Sequence, residues 1–163
     1  MEKDSRIIVP ETTVFRVKMG GPETTDQITA ALGFPFQEWI TQENLPLTPA
    51  KTPWEDEIEI IDPGRDFTEK EGFVILAEAK LVRPTHEHAL RFAEQYGKAT
   101  TSEKKPYIIF LHEPWQAPRR DRYVLDLDRS PDYRGLYLGW ADRRFDARCV
   151  LAGVRPRKQS SGA

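Results

Sequence analysis

Phe73-Val-Ile-Leu-Ala-Glu-Ala-Lys-Leu-Val82 and Tyr107-Ile-Ile-Phe-Leu111, with one helical segment between them, are the stretches on which the fold turns. Both are apolar at nearly every position, and a strand apolar on both faces belongs in the middle of a covered sheet. In the first stretch the odd positions Phe73, Ile75, Ala77, Ala79 and Leu81 form an unbroken apolar face. The even positions run Val74, Leu76, Glu78, Lys80, Val82, apolar at first and charged further along. Between the two stretches Thr85 is placed as an N-cap with Glu87 in the first turn. Ala89, Phe92, Ala93 and Tyr96 then recur at helical spacing up to Gly97. The pattern predicts a central strand–helix–strand unit over 73–111.

Working outward, Thr12 to Met19 alternates apolar and basic residues and predicts a half-buried strand stopped at Gly20-Gly21-Pro22. Thr24 or Thr25 caps a short helix carrying Ile28, Ala31 and Leu32, and Pro35 opens a second helical turn around Phe36, Trp39 and Ile40. Residues 43–56 read as a proline-punctuated loop, and Glu57 to Asp62 as a strand ended by Pro63-Gly64. Beyond Leu111, strands are expected at Arg122–Asp128, Gly135–Trp140 and Cys149–Arg155, paired as hairpin-like neighbours. Residues 1–11 and 156–163 read as loose ends. The expectation is a single α+β domain: a mixed, mostly antiparallel sheet with one main helix and short N-terminal helices.

A chain of 163 residues, 39% hydrophobic and 31% charged, fits one globular domain that is rather polar. No apolar run reaches the length of a membrane span, and the first residues lack the apolar core of a signal peptide, so a cytoplasmic location and no membrane partner are expected. The single cysteine, Cys149, excludes an internal disulfide and a cysteine-based zinc site, and reads as a core residue. Charge is uneven. Residues 1–113 hold 13 Lys/Arg against 20 Asp/Glu, a net of −7, whereas residues 114–163 hold 11 against 6, a net of +5. Such asymmetry points either to a charged partner or to mutual neutralisation within one fold.

Two constellations carry chemistry. Asp62 closes one expected strand, and Glu78 and Lys80, two residues apart on the next, would face the same side. An acid followed by Glu-x-Lys, a helix and an apolar strand resembles the PD-(D/E)xK nuclease core over residues 57–111, although Asp62-Pro63 reverses that family's Pro-Asp order. The resemblance implies that Asp62 and Glu78 would hold a magnesium ion and that Lys80 would be the catalytic lysine. The competing reading is a surface pair beside a turn aspartate. His86 and His88, two apart at a helix start, cannot share one ion and read as solvent-facing.

The second constellation is basic and aromatic: Arg119, Arg120 and Arg122 before one strand and Arg143 and Arg144 after another, with Trp115, Tyr133, Tyr137 and Trp140 nearby. Arginine and aromatic residues suit a protein interface or a nucleic-acid backbone with stacked bases. Asp121, Asp142 and Asp146 are interleaved with them, so salt-bridged loops compete with both readings. The leading expectation is a binding protein acting through contacts with another protein or its own copy, at Arg119, Arg120, Arg122, Trp140, Arg143 and Arg144. A magnesium-dependent nuclease is the first alternative and a non-catalytic nucleic-acid binder the second.

Overall fold

In the computed structural model, which describes residues 14–98 and 105–157, one six-stranded sheet carries helices on both faces. The elements are β1 (Val14–Met19), α1 (Thr25–Ala31), β2 (Trp54–Ile61), α2 (Glu69–Glu78), α3 (His86–Tyr96), β3 (Tyr107–Gln116), β4 (Arg122–Asp128), β5 (Gly135–Trp140) and β6 (Cys149–Val154). The strand order is β1-β2-β6-β3-β4-β5. Every neighbouring pair is antiparallel except β6 and β3, which run parallel. The class is therefore α+β, with a mixed and mostly antiparallel sheet. Among the described residues no helix is long and apolar enough to cross a membrane.

Strand alternation divides the core in two. Ile108 and Phe110 of β3 point to the side covered by α1 and α3, where they meet Ile28, Leu90, Phe92 and Leu125. Ile109 and Leu111 point to the side covered by α2, among Phe67, Leu76, Phe145 and Leu151. A strand with a core on each face reads as a continuous apolar run. That is why Tyr107–Leu111 is legible in the sequence, and β6 is likewise buried at all six positions.

The stretch 73–82 is not a strand. Phe73–Glu78 is the main part of α2, which is seated on the sheet rather than inserted in it. A short, wholly apolar run satisfies both the two-residue and the 3.6-residue period, so periodicity alone cannot decide it. The deciding signal is upstream, in a reciprocal capping box. Thr68 Oγ1 accepts the Glu71 N–H at 3.2 Å and Glu71 Oε1 accepts the Thr68 N–H at 2.9 Å. Gly72 lets the helix approach closely, since a Cβ there would stand 2.5 Å from Leu111 Cδ1. The helix ends in a Schellman turn: the Leu81 N–H donates to Leu76 O at 2.9 Å and the Lys80 N–H to Ala77 O at 3.0 Å. Leu76 and Leu81 then share the α2-side core, and Val82 makes a single antiparallel bridge to Val154.

Three further expectations are corrected. The sheet's centre is β6 with β3, and β6 lies between β2 and β3 instead of pairing with β5. The segment after Pro35 is a turn with one parallel bridge, Phe36 to Leu136, not a second helix. Arg157, assigned to a loose tail, donates from Nε to Asp56 Oδ1 at 2.9 Å and lies 4.9 Å over the Trp54 ring. The lead-in over 1–11 and the tail over 158–163 lie outside the described residues.

Candidate functional site

Asp62 follows the end of β2, as expected, but Glu78 and Lys80 do not lie on a strand. Glu78 is the last residue of α2, and Lys80, at φ 62°, is the left-handed residue of the Schellman turn. Asp62 is exposed and already bonded: Oδ1 accepts the Gly64 N–H at 2.9 Å and pairs with Lys105 Nζ at 3.1 Å. The convergence argued for a magnesium site came from strand alternation, and that premise is removed. Among the described residues no group of three or more His, Cys, Asp or Glu is arranged to hold a metal ion.

The arginines of the C-terminal half divide into committed and free. Arg122 grips Glu69 with both terminal nitrogens, at 3.2 and 3.1 Å, and also pairs with Asp142. Arg143 donates to Asp126 Oδ2 at 3.2 Å and lies 4.5 Å over the Phe145 ring. Arg144 stands 3.7 Å from Glu71, and Arg148 3.1 Å from Asp146. Arg119 and Arg120 are exposed and have no ion-pair partner among the described residues.

Beside these two lies an aromatic cleft of about 490 Å3, whose walls include Trp39, Asn44, Trp115, Pro118, Arg119 and Tyr123. The Trp39 ring meets Trp115 and Tyr123 edge-on, both with centroids 5.9 Å away, and Trp140 Nε1 donates to Tyr123 Oη at 3.2 Å. Trp39 is held from its backbone: its N–H donates to Gln37 Oε1 at 2.7 Å and its carbonyl accepts from Asn44 Nδ2 at 2.9 Å. The indoles nevertheless stay in water, Trp39 at 43% and Trp140 at 58% exposure. Of six exposed large hydrophobic residues among those described, four (Phe36, Trp39, Tyr133 and Trp140) border β5 or the segment that touches it.

A bulge aims Trp115 into this cleft. The register of β3 against β4 jumps from Phe110↔Leu125 to Trp115↔Tyr123, so residues 111–114 stand against Val124 alone. Side chains repair the interrupted ladder. The Leu125 N–H donates to His112 Nε2 at 2.9 Å, which places the imidazole proton on Nδ1, donating to Glu113 O at 2.7 Å. Arg83 donates to the Leu111 carbonyl at 2.7 Å and the His112 carbonyl at 2.9 Å. Burial pushes the His112 pKa down to about 4, so the ring stays neutral while it does this.

The edge beside the cleft is open. Leu136 donates its N–H to Pro35 O at 3.1 Å and accepts the Gln37 N–H at 2.9 Å, so even-numbered β5 residues turn their backbone groups away from β4. The Ala141 N–H bonded to Arg122 O at 2.8 Å fixes the same parity from the other end. Leu138 and Trp140 therefore present N–H and C=O groups along the rim, with no further strand beside β5 among the described residues.

Two other clusters resolve into structural roles. His88, expected in solvent, is buried at 7%. Its Nδ1 accepts the Thr85 N–H at 2.9 Å, closing the capping box of α3, and its Nε2 therefore donates to Asp56 Oδ2 at 2.8 Å. Both ring nitrogens are occupied, which leaves no free base. Asp126 lines a shallower cleft of about 330 Å3 with Tyr137 and Arg143, and burial raises its pKa to about 6. Its Oδ1 has no hydrogen-bond partner among the described residues. A carboxyl poised near neutrality would suit general acid–base work, but among the residues lining that cleft none is an activated nucleophile. The Cys149 thiol is pushed up to about 12 by burial and by the charges of Asp126 and Asp146, so it stays protonated.

Of the residues nominated from sequence, Arg119 lines the aromatic cleft, Arg120 is its chain neighbour and Trp140 is bonded to the cleft's Tyr123, while Arg122, Arg143 and Arg144 are spent on internal pairs. Sequence reasoning missed Trp39, which it placed inside a short helix. Comparison of the chain with protein-family models, curated proteins and solved structures gives no match.

Proposed function

We propose that this protein works by binding a segment of another polypeptide in the aromatic cleft beside the open edge of β5. The observation that carries the reading is a cleft of about 490 Å3 with exposed Trp39 in its wall and exposed Trp140 bonded to its Tyr123, next to unpaired strand groups. Exposed tryptophans at the rim of a concave, largely apolar site are the composition of interface hot spots. Unpaired strand groups beside a pocket suit an extended chain that bonds through its backbone and is selected through its side chains.

The arginine pairing favours this reading over nucleic acid. A phosphate track needs many uncommitted cations, and Arg122, Arg143, Arg144 and Arg148 are each turned to a carboxylate of this chain.

The test is selection from a displayed library of random 12-residue peptides on the wild-type protein, followed by titration of Trp39→Ala with the recovered peptides. Trp39 is partly exposed, so the variant should keep its fold. The reading expects peptides whose affinity falls at least about tenfold, the order of a hot-spot truncation. Peptides that bind wild type and Trp39→Ala equally would overturn it. So would tight binding of an oligothymidylate with a steep salt dependence.

A further inference from the structure

The hairpin joining β3 to β4 closes over residues 117–121. The Arg120 N–H donates to Ala117 O at 2.8 Å and the Ala117 N–H to Asp121 O at 2.9 Å, with Pro118 at the first corner. This is the three-residue hairpin loop in which a turn is followed by one left-handed residue, a position that glycine fills without steric cost. Here it is Arg120, at φ 73°. The conformation disfavours any side chain, and this side chain makes no ion pair among the described residues that would offset the cost. Arg119, beside it, forms part of the cleft wall and is equally unpaired. By contrast, Arg122, Arg143, Arg144 and Arg148 each face a carboxylate at 3.1–3.7 Å. The two uncommitted cations therefore stand together, one of them against backbone preference, at the rim of the aromatic cleft.

We propose that the cleft's partner is an extended acidic peptide segment, with one or two carboxylates meeting Arg119 and Arg120 and an aromatic or aliphatic side chain seated between Trp39 and Tyr123. This rests on the reading of the cleft as a peptide site and adds the chemistry of the partner. Asp121, also on the cleft wall, offsets one of the two charges, so the preference is for one or two acidic residues and not a long acidic run. Arg120 is kept where glycine would fold better because its guanidinium is used in binding.

The experiment compares wild type, Arg120→Gly, Arg120→Lys, Arg119→Ser and Trp39→Ala against peptides selected from the displayed 12-residue library, reading peptide sequence, affinity and melting temperature. The expected peptides carry an acidic residue within a few positions of a large apolar one. Arg120→Gly should melt higher than wild type; both it and Arg119→Ser should bind roughly three- to tenfold more weakly, with Arg120→Lys retaining most of the affinity. Peptides without acidic bias, or affinities unchanged by Arg120→Gly and Arg119→Ser, would overturn the acidic-partner inference. If those peptides were still lost on Trp39→Ala, the cleft reading would stand by itself. Recovery of no peptide sensitive to Trp39→Ala would overturn both.

Discussion

Replacing Asp126 by asparagine should make the protein more stable at neutral pH and remove that gain in acid. In the folded chain burial raises the Asp126 pKa to about 6, against a usual value of 3.8. A raised folded pKa contributes stability that is fully present below the unfolded pKa and is lost as pH rises through the folded one. At ~1.4 kcal/mol for each tenfold change in proton affinity, a rise of that size means that ionised Asp126 costs about 3 kcal/mol at pH 7. Asparagine has no charge to desolvate, and its amide can bond the pocket. It loses the 3.2 Å contact with Arg143, but that guanidinium is 38% exposed and can be hydrated. The attraction of Arg143 for the charged carboxylate is already counted in the folded pKa, so the pH-dependent part is the sharper quantity. His112 works in the opposite direction: its lowered pKa, about 4 against 6.5, contributes stability present above pH 6.5 and lost as pH falls through 4. In the wild type the two contributions nearly cancel between pH 6.5 and 4. In Asp126→Asn, of these two only the His112 dependence remains. Urea unfolding at pH 7 and pH 4 should therefore show the difference between variant and wild type shifting by about 2 kcal/mol toward the wild type in acid. A difference that stays constant across that range would be incompatible with a carboxyl forced to ionise in a buried site.

Lys80→Gly should raise stability by about 1 kcal/mol, since the Schellman position at φ 62° favours glycine; thermal melts would show it. Arg91 is buried at 3% and bonds Glu23 Oε1 at 2.6 Å, Glu87 Oε2 at 3.3 Å and Gly21 O at 3.1 Å. Arg91→Ala, which leaves these acceptors without their cation, should cost about 3 kcal/mol or more in urea unfolding. His112→Phe should cost about 2 kcal/mol by orphaning the Leu125 N–H and the Glu113 carbonyl. It should also weaken peptide binding, because the bulge that aims Trp115 loses its support.

The sheet was largely legible in the sequence because its strands carry their signals locally. Arg122–Asp128 alternates in sequence, and Tyr107–Leu111 of β3 and the whole of β6 read as apolar runs because they have a core on each side. Phe73–Glu78 fits either period because it is a short apolar run, and the capping box that makes it helical, Thr68 with Glu71, lies upstream of it. The two non-glycine residues at positive φ among the described residues, Lys80 and Arg120, lack the glycine that would have announced a turn. The candidate site was half legible. Arg119, Arg120 and Trp140 are marked by residue type, but which arginines are spent on Glu69, Glu71 and Asp126 depends on contacts 17 to 73 residues apart in the chain. Trp39 reaches the cleft across 76 residues to Trp115, and no local pattern encodes that meeting.

Whether an extended peptide lies along β5 is best decided by amide hydrogen exchange of the protein, free and saturated with a selected acidic peptide. Exchange should slow at Leu138 and Trp140, the rim amides of β5, and around Trp39, with no change at the groove beside Ala79–Leu81. Slowing at that groove, with the β5 amides exchanging as in the free protein, would contradict binding at the aromatic cleft.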